Sequence, residues 1–367
     1  MDKTKLLTAA GIAAFALTTP AAASAKAFVN QFRQVTTLST TVPTSGPSSG
    51  DQNPYGVAVV PRTTGKLVRG DVLVSNFNNS RNQQGTGSSI VQVSPSGRAQ
   101  VFAVVPQPTA TPAVGLTTAL VTLVNGDVIV GSLPAPGGIS SAAAAGALTI
   151  LNSNGHVVRV LTGADINGPW DMTATYEGKN IVLFVTNVLN GTVAAGGKVV
   201  DRGTVIRIAL KFHNGSVSVL SNQVIATGFG EHTDPNALIV GPTGVSLGQG
   251  DILYVADSNG NRIAAIPDAL SRATVLDGGG KTVTSGGALS DPLGLAIAPN
   301  GDVISANGGN GNIVETTPGG GRAAVKTLVP NGAGDLFGIA IAPGGAGVYF
   351  VNDSGTGAGA NSLDVLH

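Results

Sequence analysis

Side chains able to do chemistry are sparse in this 367-residue chain, where Asp, Glu, Lys and Arg together make up 11% and histidine occurs four times. Short stretches that gather several of them therefore stand out. Glu231-His232-Thr233-Asp234 places three ionisable groups within four residues, enough for a general base, a general acid or part of a metal site. A solvated loop with ordinary side chains would read the same way. Gly168-Pro169-Trp170-Asp171 sets the only tryptophan beside a carboxylate. An indole can stack on a sugar or another flat ligand while the acid binds its polar edge, or the pair can simply pack and cap a turn. Asp171, Glu231 and His232 are accordingly the candidate catalytic groups. Trp170 and Tyr55 are the candidate ligand-binding aromatics.

Asp257 and Asp353 are candidates for a hard cation such as calcium, bound with carbonyl oxygens. No cofactor is required by the residues, and calcium is the one these carboxylates could take. The run Asp257-Ser258-Asn259-Gly260-Asn261 resembles a calcium loop but has Gly260 at position four and Asp268 at position twelve, against a glycine at six and a glutamate at twelve. Zinc spacing, a nucleophile elbow and a phosphate loop are absent from the sequence. Of the other histidines, His156 and His213 fall on turns and His367 is terminal.

The elements that must position these groups are short strands. Apolar runs rich in Val and Ile alternate with Asn-Gly, Gly-Asp and Ser-Gly turns, and 53 glycines and 20 prolines suit tight turns better than long helices. A unit repeats, opening an apolar strand at Gly56, Ala119, Asp171, Gly244, Gly294 and Gly338. The intervals lie between 44 residues (Gly294 to Gly338) and 73 residues (Asp171 to Gly244). Such units bury their faces only by stacking around an axis, which predicts an all-β, six-bladed β-propeller. The last unit has only three strands, and the β-branched stretch Phe28 to Val42 is expected to supply the fourth and close the ring.

In that arrangement the between-blade connections and the ends of the second strands share one face, the default site. Asn76, Ser132, Asn187, Asp257, Asn307 and Asp353 are assigned to equivalent second-strand ends. Repetition suits Asx turns that accept backbone N–H groups. Asn76, Asn187 and Asn307 are also candidate ligand contacts, and the amide-rich stretch around Asn78, Asn79, Asn82, Gln83 and Gln84 suits uncharged recognition of a glycan, a peptide or another small molecule. Partners expected on this reading are a small molecule, a glycan or a protein.

The first 25 residues carry Lys3 and Lys5, an apolar run from Leu6 to about Leu17, Pro20 and the small-x-small step Ala23-Ser24-Ala25. This predicts a signal peptide (1–25) before a single propeller domain (26–367), exported to the periplasm or the medium with no membrane span after cleavage. Cysteine is absent, so neither disulfides nor a lipid-modified cysteine contribute. Twenty basic residues balance twenty acidic ones, which argues against nucleic acid as a partner.

DILYVADSNGNRI in the fourth unit and PLGLAIAPNGDVISANGGNGNIV in the fifth resemble NHL repeats, whose pattern runs Pro-x-Gly, apolar strand, Asn-Gly, Val-Ala-Asp and Asn-x-Arg-Ile. The resemblance implies a propeller whose relatives include ligase modules, lyases, lactonases and binding scaffolds. It leaves two functional readings, ligand binding through the loop-bearing face, or a lactonase-like hydrolase or lyase at the channel mouth. Gluconolactonase-type propellers place an acidic metal ligand at the start of the first blade, where this chain has Asn53-Pro54-Tyr55-Gly56.

Overall fold

The computed structural model describes residues 26–354 and 360–367. The signal-peptide segment expected at 1–25 lies outside the described residues. Six antiparallel sheets are arranged so that the first strand of each packs against the first strand of the next, around a ring. Blade one comprises Gln52–Val59, Val72–Asn78, Ser89–Val93 and Ala99–Val104. Blade two comprises Leu116–Thr122, Val128–Ser132, Ala147–Leu151 and Val157–Leu161. The inner strands of blades three to six are Pro169–Glu177, Pro242–Leu247, Pro292–Ile297 and Leu336–Ile341. The six-bladed, all-β architecture is the one expected from the repeats.

Ring closure also follows the expectation, with a shorter strand. Val35–Thr40 pairs with Ser362–Leu366, from Val35 opposite Leu366 to Thr40 opposite Ser362, and becomes the outer strand of blade six. Residues upstream are not strand. Phe28–Gln31 forms a single 3-10 turn whose Phe28 and Val29 N–H groups donate to the fully buried Glu315 carboxylate at 2.6 and 2.8 Å. Phe28 and Val29 themselves enter the apolar core between blades five and six, beside Ile313, Val348 and Phe350. The N-terminal segment is thus fixed by burial at one end and by sheet pairing at the other.

Blade three departs from its siblings. Its outer strands, Val200–His213 and Ser216–Asp234, form a long twisted hairpin interrupted by several register shifts, and Leu238–Val240 adds a fifth strand. The segment Glu231 to Asp234, read from sequence as a loop, is therefore strand. Glu231 pairs with Val200, and His232 pairs with Val240. The hairpin packs apolar side chains on both faces, with Ile206, Ile208, Leu210 and Val217 in one core cluster and Val205 and Ile225 in another.

All six inner strands carry the same irregularity. In blade one the register jumps between Pro54 and Val57, and equivalent jumps fall at Leu116/Leu120, Pro169/Met172, Pro242/Val245, Pro292/Leu295 and Leu336/Ile339. A bulge re-aims the side chain it contains. The bulges deliver Tyr55, Thr118, Trp170, Thr243, Leu293 and Phe337 to the lining of one cavity at one end of the channel. The next position is glycine in four blades because the strands nearly touch there. A Cβ on Gly244 would lie 2.1 Å from the Leu293 carbonyl oxygen, and one on Gly338 would lie 2.1 Å from that of Tyr55.

Removal of the Glu315 carboxylate should loosen the anchored N-terminal segment. Glu315→Ala strands the Phe28 and Val29 N–H donors in a buried site, at a cost of about 3 kcal/mol in urea unfolding. A variant that unfolds at the wild-type urea concentration would show that the anchor contributes nothing.

Candidate functional site

The bulge residues wall a cavity of about 260 Å³, completed by Asn53, Gln84, Asn236, Ser258 and Asp291 from the connections and strand ends of the same face. Its floor is aromatic. Tyr55 is stacked between Phe77 (ring centroids 4.6 Å apart) and Phe337 (4.3 Å), while Trp170 meets Tyr55 and Phe77 edge-on at 6.1 and 5.8 Å. These four rings are buried and their arrangement is the offset and edge-to-face packing that aromatic quadrupoles favour. The floor is therefore rigid.

The rim is polar and acidic. Asp291 adjoins the cavity with its ordinary carboxylate pKa raised by burial and by Asp234, against the lowering influence of Ser258 and His232. Asp353 is pushed up to about 7 by burial and by the neighbouring Asp335. The Tyr55 phenol is raised by burial, with Asp353 and Asp291 adding to it. Tyr55 is only 6% exposed, yet its hydroxyl makes no hydrogen bond among the described residues. Asn53 Oδ1 and Gln84 Oε1 are likewise buried acceptors without a partner, although Asn53 N–H donates to Asn361 Oδ1 and Gln84 Nε2 donates to the Asn236 carbonyl at 2.5 Å. Buried polar groups are normally paired, and these two acceptors without partners both line the cavity.

The three candidate catalytic groups are not brought together. Asp171 follows the bulge of blade three and faces the aliphatic channel of about 360 Å³ on the inner side of the aromatic floor. Its oxygens accept from the Met172 N–H (2.8 Å) and from the Val245 N–H of blade four (3.1 Å), so it ties two blades together. Burial raises its pKa well above the usual carboxylate value. Glu231 is fully buried, with Oε1 accepting from the Asn190 N–H at 2.8 Å and from the Thr192 hydroxyl at 3.3 Å, which pins the connection after Asn180–Asn187. Burial lifts its pKa to about 7. Only His232 stands by the cavity, beside Asp291.

The ligand and metal candidates also divide. Trp170 and Tyr55 line the cavity. Asn76, Asn187 and Asn307 are fully buried and hold the connections instead. Asn76 Nδ2 donates to the Thr41 carbonyl, Asn307 Nδ2 donates to that of Ala288, and Asn187 Oδ1 accepts from the Gly168 N–H. Asp257 has the same position in blade four, and its Oδ2 lies 2.7 Å from Arg262 Nε while Oδ1 accepts from the Gly260 N–H. In blade six the equivalent residue is Asn352, opposite Leu336, and not Asp353. Asp353, one residue beyond that register, donates its backbone N–H to the Asp335 carbonyl at 2.9 Å, and its carboxyl acts on Tyr55.

The carboxylates do not fit a calcium site. Asp257 is already neutralised by Arg262, and no group of three or more His, Asp or Glu side chains among the described residues is arranged to hold a metal ion. The amide-rich stretch satisfies itself in part, since Asn78 Nδ2 donates to Asn82 Oδ1 and Asn79 Nδ2 donates to Gln83 Oε1, and only Gln84 reaches the cavity. Reading by residue type missed Leu293, Phe337, Thr118 and Thr243. They were marked all the same, as the middle residue of each repeat opening, of which Pro54-Tyr55-Gly56 and Leu336-Phe337-Gly338 are two.

No protein-family profile matches the chain, and no curated protein matches it in sequence. Solved structures do match in fold. A gluconolactonase from Xanthomonas campestris superimposes with a TM-score of 0.56 at 14% identity, over 91% of this chain and 88% of the other. A calcium-binding protein, regucalcin, from Agrobacterium tumefaciens gives 0.54 at 14% identity over 90% and 95%. A streptogramin B lyase gives 0.51 at 15% identity over 91% and 97%. At these identities the likeness is one of fold. The chain is a six-bladed propeller of the architecture those proteins share, and no helix among the described residues is long and apolar enough to cross a membrane.

Raised carboxyl pKa values have a definite consequence for stability. Asp353 and Glu231, both near 7 when folded, hold protons that the unfolded chain releases near pH 4, so the folded state gains less as pH rises from about 4 to about 7. Urea unfolding should show stability falling across that window, and Asp353→Asn with Glu231→Gln should flatten the slope. A wild-type profile rising from pH 4 to pH 7 would refute these protonation states.

Proposed function

We propose that this chain is a small-molecule-binding propeller of the NHL type, with its ligand held at the channel mouth among Tyr55, Trp170, Phe337, Asn53, Gln84 and Asp291. The observation that carries this reading is the pair of buried, unpaired amide oxygens, Asn53 Oδ1 and Gln84 Oε1, in one cavity with the Tyr55 hydroxyl and an aromatic floor. Pockets of this composition, mostly apolar with a few convergent polar groups, are the common form of small-ligand sites. A volume of about 260 Å³ suits a compact molecule or one sugar-sized unit more than a long peptide. Removal of residues 1–25 on export and a single propeller domain over 26–367 complete the proposal, the ligand then being one met outside the cytoplasm.

A second reading, a hydrolase or lyase at the same mouth, is favoured by one observation. A carboxyl whose pKa is about 7, as at Asp353, can give or take a proton at neutral pH. The fold shared with a gluconolactonase and a streptogramin B lyase lends it support.

Because Trp170 is the only tryptophan and lines the cavity, its emission reports occupancy directly. Titration with a panel of sugars, lactones and amines should quench or shift that emission for at least one class, and Ala237→Phe, which fills the cavity from its rim, should abolish the response with an unchanged melting curve. A ligand whose affinity is indifferent to Ala237→Phe binds elsewhere. Turnover of a bound lactone that Asp353→Asn stops would favour the enzyme reading.

A further inference from the structure

We propose that the mouth cavity selects a small organic cation, a protonated or quaternary amine, over a neutral or anionic molecule of the same shape. The inference rests on the binding reading above and concerns the chemistry of the ligand.

Charge decides it first. The chain as a whole carries no net charge, but the residues lining the cavity include Asp291 and neither lysine nor arginine. Asp234 acts on Asp291, Asp353 acts on the Tyr55 phenol, and Asp335 stands beside Asp353. Three carboxylates thus act at the mouth: Asp291, which lines it, Asp234, which acts on Asp291, and Asp353, which acts on the Tyr55 phenol. A single positive charge placed among them relieves their mutual repulsion in a partly desolvated site, where the interaction is stronger than in water.

Hydrogen bonding points the same way, independently of the acids. Asn53 Oδ1 and Gln84 Oε1 are buried acceptors with nothing to accept from. The Tyr55 hydroxyl, on a side chain more than nine-tenths buried, is unpartnered among the described residues and stands where Asp291 and Asp353 both act on it. An ammonium is a compact source of donors and has no lone pair to set against these acceptors. The carbon skeleton of such a ligand would meet the rings of Trp170 and Phe337, whose π-faces favour cations.

A pH signature follows. Binding a cation favours the ionised form of Asp291 and Asp353, whose carboxyls burial holds above the ordinary range; Asp234, His232, Asp335 and Tyr55 are the other titratable groups beside them. Affinity for a permanently charged ligand should therefore rise as pH increases through about 7, where the Asp353 carboxyl ionises.

The test uses the full chain and three probes of one shape, benzylamine, benzyl alcohol and benzoate, followed by Trp170 emission. Benzylamine is expected to bind about tenfold more tightly at pH 8, the factor that one well-placed ion pair supplies. That advantage should shrink toward pH 5 and fall to roughly threefold or less in Asp291→Asn. Asparagine tolerates the positive φ of 51° at position 291, so the variant should fold, and Asp353→Asn provides a second test should it not. Equal binding of amine and alcohol would overturn the cation inference and leave the binding site standing. Tighter binding of benzoate would also overturn it. A Trp170 signal unmoved by all three probes would count against both the inference and the site.

Discussion

Six backbone bulges surround one axis, and each frees carbonyl oxygens at the most crowded point of the molecule. Hydroxyl groups from neighbouring blades satisfy four of them. The Ser75 hydroxyl donates to the Thr117 carbonyl at 2.8 Å, Thr118 to that of Trp170 at 2.5 Å, Thr186 to that of Thr243 at 2.8 Å and Ser258 to that of Pro292 at 2.7 Å. These bonds run from blade one to two, two to three, three to four and four to five. A buried carbonyl left unpaired costs free energy comparable to the bond itself, so the bulges and the hydroxyls stand or fall together. The mouth cavity exists because of them, since without the bulges Tyr55, Trp170 and Phe337 would not share it.

Asp171 belongs to this system. Blade three has no glycine after its bulge, and the carboxylate that replaces it reaches the Val245 N–H of blade four. An acid in a repeated apolar position suggested chemistry. Its two oxygens are instead occupied by backbone donors, and its role is that of a fastener between blades. Glu231 repeats the lesson one layer further out, where a buried carboxyl holds the connection at Asn190 and Thr192.

Much of the architecture was legible in the sequence because propeller repeats are periodic and their turns are spelled out in Gly, Asn and Asp. The six openings, the strand that closes the ring and the concentration of polar groups on one face all emerge from that periodicity. The site was legible only in part. Tyr55 and Trp170 were found by residue type, whereas Phe337 and Leu293 look like core residues until the bulge that turns them is seen. Asp353 was found for the wrong reason, because a one-residue offset at Asn352 decides whether a side chain caps a connection or faces the mouth. Offsets of that size lie below what strand patterns resolve. The hairpin of blade three was hidden for a related reason, since its many register shifts erase the alternation that marks a strand.

The pairing of Val35–Thr40 with Ser362–Leu366 imposes an order of events on folding. The segment synthesised early can complete its sheet only after the last strand has been made, so its backbone N–H and C=O groups wait while five blades and most of a sixth assemble. Contacts so distant along the chain are slow to form, because the entropy of closing the loop is lost before the pairing returns anything. Until then blade six presents an open edge to any strand that passes, a neighbouring copy included. The Glu315 anchor lies in blade five, which can form before the C-terminal strand exists. Docking Phe28 and Val29 there would hold the waiting strand close to its eventual place, and so shorten the search for the final step.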